Sequence, residues 1–166
     1  MKRFLLALGL LASCTAMAAN GPSASKHRIE HGKFLVGYGG CNDCHTPGWA
    51  EHGGKMPKNK VLTGSGFNFQ GPWGTTYPIN LRLYFQKLTL EQWIHNARTV
   101  KARPPMPWWN FRYLSDRDLG DIYAYVRSLG PAGKAAHDWV PPGQDAPAPY
   151  LKLVMPPPPA VQPAGH

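Results

Sequence analysis

The chain has 166 residues, 43% hydrophobic and only 16% charged, with 18 Gly, 18 Pro and a formal net charge of +9. Such a length, with so many chain breakers, leaves room for one small domain and some irregular segments, and excludes a large multidomain architecture.

The opening residues, Met1-Lys2-Arg3 followed by an apolar run from Phe4 to Ala12 and small residues ending in Ala16-Met17-Ala18, have the layout of a secretory leader. The run is too short to span a bilayer. A signal peptide over 1–18 is expected, and the mature protein is expected in the periplasm. Leu11-Ala12-Ser13-Cys14 is also similar to the lipobox of bacterial lipoproteins, and cleavage before Cys14 would leave a lipid-anchored protein on the periplasmic side of a membrane. Export excludes nucleic acid as the reason for the positive balance. That charge suits either steering toward acidic redox partner proteins or anionic membrane surfaces, or plain solubility.

Nearly all the periodic apolar pattern lies in a domain over 19–131. A first helix is expected from about Ser25 to Gly37, with Ile29, Phe34, Leu35 and Val36 on or near one face. It leads into Cys41-Asn42-Asp43-Cys44-His45. Two thiols at this spacing can add across the vinyl groups of one haem and place the next imidazole under the iron. The same spacing is also half of a zinc site or a redox dithiol. A zinc site would need four ligands, and His45 with His52 makes only an irregular second pair. A dithiol would want a βαβ setting, and none is visible. From Thr46 to Lys87 the chain reads as long loops rich in Gly and Pro. Loops of that length in so small a domain fit a chain wrapped around a large prosthetic group.

A second helix follows Thr89, with Gln92 at capping-box spacing and Leu90, Trp93, Ile94, Ala97 and Val100 in its pattern. The third has Ser115 and Asp118 as cap and partner and Leu119, Ile122, Tyr123, Val126 and Leu129 at helical spacing, and it stops at Gly130-Pro131. Between the two lies Arg103-Pro104-Pro105-Met106-Pro107-Trp108. The prolines fix their own φ and restrict the residues before them, so Met106 is held with little freedom. Met56 is too near His45 to reach the opposite face of a ring, and Met155 falls in the tail. Residues 132–166 form a proline-rich tail, expected to be a disordered spacer, with polyproline docking as the alternative.

The expected ligands are thus Cys41 and Cys44 as thioethers on one covalent haem c, with His45 and Met106 on its iron. Two protein ligands close the iron to exogenous ones and favour electron transfer, so no residue is assigned as catalytic. The competing reading is an open axial site doing peroxidase-type or gas-sensing chemistry, with Met106 off the iron. Trp73, Tyr77, Arg82, Trp93, Trp108 and Trp109 could line the haem or bond its propionates, or simply pack. Lys55, Lys58 and Lys60 could receive an acidic partner or be solvated surface.

The order of helix, CxxCH, loops, middle helix, proline-flanked methionine and last helix resembles a class I monohaem c-type cytochrome. The resemblance implies an all-α cytochrome c fold, three or more helices and long loops wrapped around one covalent haem. It also implies that an aromatic residue of the last helix, Tyr125, packs on a glycine of the first, Gly32. Gly71-Pro72-Trp73-Gly74-Thr75, Asn80-Leu81 and Met106-Pro107-Trp108 through Tyr123-Ala124-Tyr125 are similar to segments of cytochromes that work with periplasmic alcohol or aldehyde dehydrogenases. Those subunits often carry three haems and this chain has one CxxCH. The implied role is a one-electron carrier between a dehydrogenase or quinol-oxidising complex and an oxidase or other acceptor.

Overall fold

A computed structural model describes residues 22–154 and 156, so the leader, Cys14 and Met155 lie outside the described residues. Helix α1 runs Pro22–Tyr38 and α2 is the short CxxCH helix Cys41–His45. After them come strands β1 (Asn68–Gly71) and β2 (Gly74–Thr76) and helices α3 (Leu81–Gln86) and α4 (Leu90–Thr99). A 3-10 helix over Trp108–Tyr113, helix α5 (Asp116–Ser128) and strand β3 (Tyr150–Lys152) complete the order. Helix dominates, but the three-stranded sheet departs from the all-α expectation. Strands of three and four residues are too short to show an alternating pattern, and the third lies in the proline-rich segment.

Helices α4 and α5 start where their side chains can satisfy the free backbone N–H groups of a first turn. Thr89 accepts from Gln92 N at 3.2 Å while Gln92 Oε1 accepts from Thr89 N at 2.9 Å. Ser115 and Asp118 make the same reciprocal pair at 3.1 and 3.0 Å. Their apolar faces meet in a core of Leu62, Phe85, Trp93, Leu119, Ile122 and Val126. The Trp93 indole donates to Leu119 O at 2.8 Å, so its one polar atom is paired inside that core.

Helix α1 packs along α5 at Gly32, where an added Cβ would lie 1.9 Å from Asp121 O and 2.9 Å from Tyr125 Cβ. Only a residue without a side chain permits that approach. The helix pair is then clasped by charge. Asp121, 1% exposed, accepts from Arg28 Nε at 2.7 Å and pairs with His31 Nδ1 at 3.0 Å. Burial would raise its carboxyl, but the hydrogen bonds from Arg28 and His31 outweigh that and hold it below the ordinary value. Phe34, expected on the core face, is 61% exposed. Two positions from Gly32 means about 200° around a helix of 3.6 residues per turn, so both cannot face α5.

The stretch expected as loops folds back on α2. Gly64 N donates to His45 O at 2.9 Å and Leu62 N to Thr46 Oγ1 at 2.8 Å. It then forms the β1–β2 hairpin, paired Phe69 with Thr76 and Gly71 with Gly74. Arg82 on α3 is buried, and its guanidinium donates to the carbonyls of Gly130 (2.5 Å), Lys58 (3.0 Å) and Leu129.

The C-terminal segment, expected as a disordered spacer, lies along the domain as far as it is described. Asn80 Nδ2 donates to Ala132 O at 2.7 Å, Tyr77 Oη to Pro147 O at 3.0 Å, and Thr75 and Val140 exchange a pair of backbone hydrogen bonds. β3 then pairs parallel with β1, giving the order β2-β1-β3. Proline-rich chain is already extended, so laying it on a sheet edge costs it little further order. Gly74, at φ 94°, admits the arm: a Cβ there would stand 2.2 Å from Val140 O.

Candidate functional site

His45, at the C-terminal end of α2, is 7% exposed. Its Nδ1 lies 2.7 Å from Ile79 O. A carbonyl only accepts, so Nδ1 carries the proton and Nε2 keeps its lone pair. Burial, partly opposed by that hydrogen bond, holds the imidazole below its ordinary pKa, in the neutral form a metal requires. A carbonyl on the far nitrogen is also the usual partner of a metal-bound histidine.

Beside it the two thiols are unbridged. Burial pushes Cys41 up to about 11 and raises Cys44 as well, with the Asp43 charge adding in the same direction. A redox dithiol needs at least one thiol shifted the other way. The zinc reading fares no better: among the described residues no three His, Cys, Asp or Glu side chains gather to hold a metal.

Cys41 and His45 open on a cavity of about 380 Å³. Its inner wall is core: Val36, Phe85, Trp93, Ile122 and Val126. Segment 76–81 forms a second side, and the loop after α4 brings Arg103, Met106 and Trp108 to the same space. The volume and apolar lining are those of a site for an organic molecule. Thr76 also lines it, although its Oγ1 is itself buried, with no hydrogen-bond partner.

Of the expected ligands, Cys41, His45 and Met106 all line this cavity, and Cys44 follows on the same turn of helix as Cys41. Met56 packs against the hydrophobic core instead. Tyr77, Trp93 and Trp108 also line the cavity, whereas Arg82 is spent on backbone carbonyls and Trp109 faces solvent. The Tyr125 and Gly32 pair is in contact. Sequence reasoning missed the outer wall, His137, Asp138 and Trp139 of the C-terminal arm. Trp139 donates to Trp73 O at 2.8 Å, and Arg103 stacks 3.8 Å over its ring. Nothing in the composition of the arm marks that tryptophan as a cavity residue. The Ile79 carbonyl was equally invisible, since any residue supplies one. No family model, curated protein or solved structure matches this chain.

Proposed function

We propose that the chain is an exported class I c-type cytochrome: a helical domain that holds one haem c through Cys41 and Cys44 and ligates its iron with His45 and Met106. It works as a one-electron carrier, not an enzyme, between a periplasmic dehydrogenase or quinol-oxidising complex and an oxidase or other acceptor. The observation that carries this reading is the His45 ring, fixed by Ile79 O as the Nε2 lone-pair tautomer, on a helix with two unbridged thiols, facing an apolar cavity that Met106 shares.

When bound, the haem supplies a one-electron couple at its iron. The chain does the rest. Cys41 and Cys44 would hold the haem by thioether bonds, so that it could not dissociate. Nε2 of His45 and the Met106 sulfur would hold its iron and keep exogenous ligands off. A thioether partner favours the reduced state and raises the potential. Phe85, Trp93, Ile122 and Val126 keep water from the inner face.

The test is expression in a host that attaches haem to CxxCH, followed by mass and absorption spectra. One haem should remain bound after denaturation, the ferric protein should show the weak far-red band of thioether ligation, and Met106→Ala should abolish that band and lower the potential. A colourless mature chain sinks the reading. Rapid carbon monoxide binding to the reduced protein, without the far-red band, would turn it into an open-site haem protein.

A further inference from the structure

The 3-10 helix Trp108–Tyr113 joins the cavity to the surface. With three residues per turn, Trp108 and Phe111 share one row and line the cavity, while Trp109 and Arg112 share the next. Trp109 is 51% exposed and Tyr113 86%. The two indoles touch edge to face, centroids 5.8 Å apart, so aromatic contact runs unbroken from cavity wall to solvent. The Arg112 guanidinium lies 4.9 Å over the Trp108 ring.

Charge on this segment has one sign. From Val100 to Leu114 there are Lys101, Arg103 and Arg112 and no acid. Among the described residues none of the three has a carboxylate partner. The nearest acid in sequence, Asp116, is taken by Arg98 at 2.8 Å, and Asp138, which lines the same cavity as Arg103, forms no ion pair with it. Exposed Trp, Tyr and Arg, stiff and poorly hydrated, are the residues that dominate protein interfaces.

We propose that the outer face of this helix, Trp109 and Tyr113 flanked by Arg112, docks an acidic surface on a one-electron redox protein, with the Trp108–Trp109 contact as the path between partner and cavity. This rests on the electron-carrier reading. One electron crosses: the iron is oxidised, the partner's centre is reduced, and no bond or proton changes hands. Aromatic rings provide the dry contact, and the arginines steer the approach and fix orientation.

The experiment mixes reduced holoprotein with the oxidised form of an acidic blue-copper protein at several ionic strengths, and with a small cobalt phenanthroline complex that needs no docking. Trp109→Ala should slow the reaction with the copper protein about tenfold or more, the scale of a lost interface anchor. Arg112→Gln should slow it about threefold at low salt and flatten its salt dependence. Trp109→Phe should keep most of the rate, and the small oxidant should react equally with all of them. Rates within twofold of the native chain overturn the proposal. So does slowing by Lys58→Gln with Lys60→Gln in place of the patch variants, which would move docking to the other basic cluster. A native dimer dissociated by Trp109→Ala would make the occupant a second copy of this chain. A native chain without haem removes the carrier reading and the patch together, whereas intact haem with patch-insensitive rates removes the patch alone.

Discussion

Asp121 at the α1–α5 contact is buried with both oxygens taken, one by Arg28 and one by His31, whereas Thr76 on the cavity wall is buried with its hydroxyl bare. The helix pair closes its own hydrogen bonds, and its Val36, Ile122 and Val126 form the inner side of the cavity. The opposite side of the cavity leaves space against them. Beyond the core helices and the CxxCH helix, its wall comes chiefly from three segments distant in sequence, around 76–81, 100–111 and 137–139. An apolar cavity beside a helix pair whose buried charges are paired is the side of the molecule that suits an organic occupant.

The helix side of this contrast is the easier to break. Gly32→Val would drive its branched side chain into the Asp121 carbonyl, an obstacle that no rotamer change relieves. Overpacking of this kind costs roughly 3 kcal/mol or more, a large share of the stability of a domain this small. The expected outcome is a drop in thermal midpoint of ten degrees or more on the order of the usual conversion for such a domain, or a chain that fails to accumulate. A native-like melting curve would show that α1 can slide along α5 and that the contact is softer than its geometry.

Next in size is Arg28→Met, which leaves the buried Asp121 with His31 alone. A loss of about 1–3 kcal/mol is expected, the range for a buried charged group deprived of one partner. The pH dependence follows from the same carboxyl. Its folded pKa lies below the unfolded value, so the unfolded chain binds more protons as acid is added. The stabilisation is therefore complete above the unfolded carboxylate range, near pH 4, and is lost as pH falls through the folded pKa. Asp118, held down chiefly by the Ser115 hydroxyl, acts in the same direction. Denaturant midpoints between pH 6 and 3 should fall for the native chain, and fall less for Arg28→Met. Parallel curves would mean that Asp121 is not the group whose protonation loosens the helix pair.

What could be read from the sequence divides along the same line. The boxes at Thr89 and Ser115 are local devices, complete within four residues, and both helices begin where those residues say. Cys41, His45 and Met106 were legible because their chemistry is rare and their spacing specific. The cavity they share also takes in Trp139, which no local rule could bring there: it arrives because Val140 pairs with Thr75 and β3 with β1, pairings of long sequence separation. Phe34 shows the opposite failure. Its hydrophobicity placed it inside, but the position of one glycine sets which stripe of α1 meets α5. Ser115→Ala probes the legible kind of feature and should cost about 1 kcal/mol, the ordinary worth of an N-cap, through the denaturant midpoint. No change would mean that tertiary packing alone sets the start of α5.

Trp139→Ala tests the illegible kind, and its effect on global stability should be the smallest. The side chain is 37% exposed and contributes one stacked arginine and one hydrogen bond, each worth about 1 kcal/mol or less. Those contacts hold the arm, not the helices, so the midpoint of unfolding should move by less than about 1 kcal/mol while the arm itself opens more often. Hydrogen exchange separates the two. The amides of Thr75 and Val140, which bond each other across the arm, should lose protection, and those of α5 should keep it. If α5 loses protection in step, the arm and the helices unfold as one unit, and the contrast between a self-sufficient helix pair and an added wall fails. If only the arm opens, the outer wall of the cavity is a separable strap, and access to whatever the cavity holds is set by a part of the chain that the fold does not need.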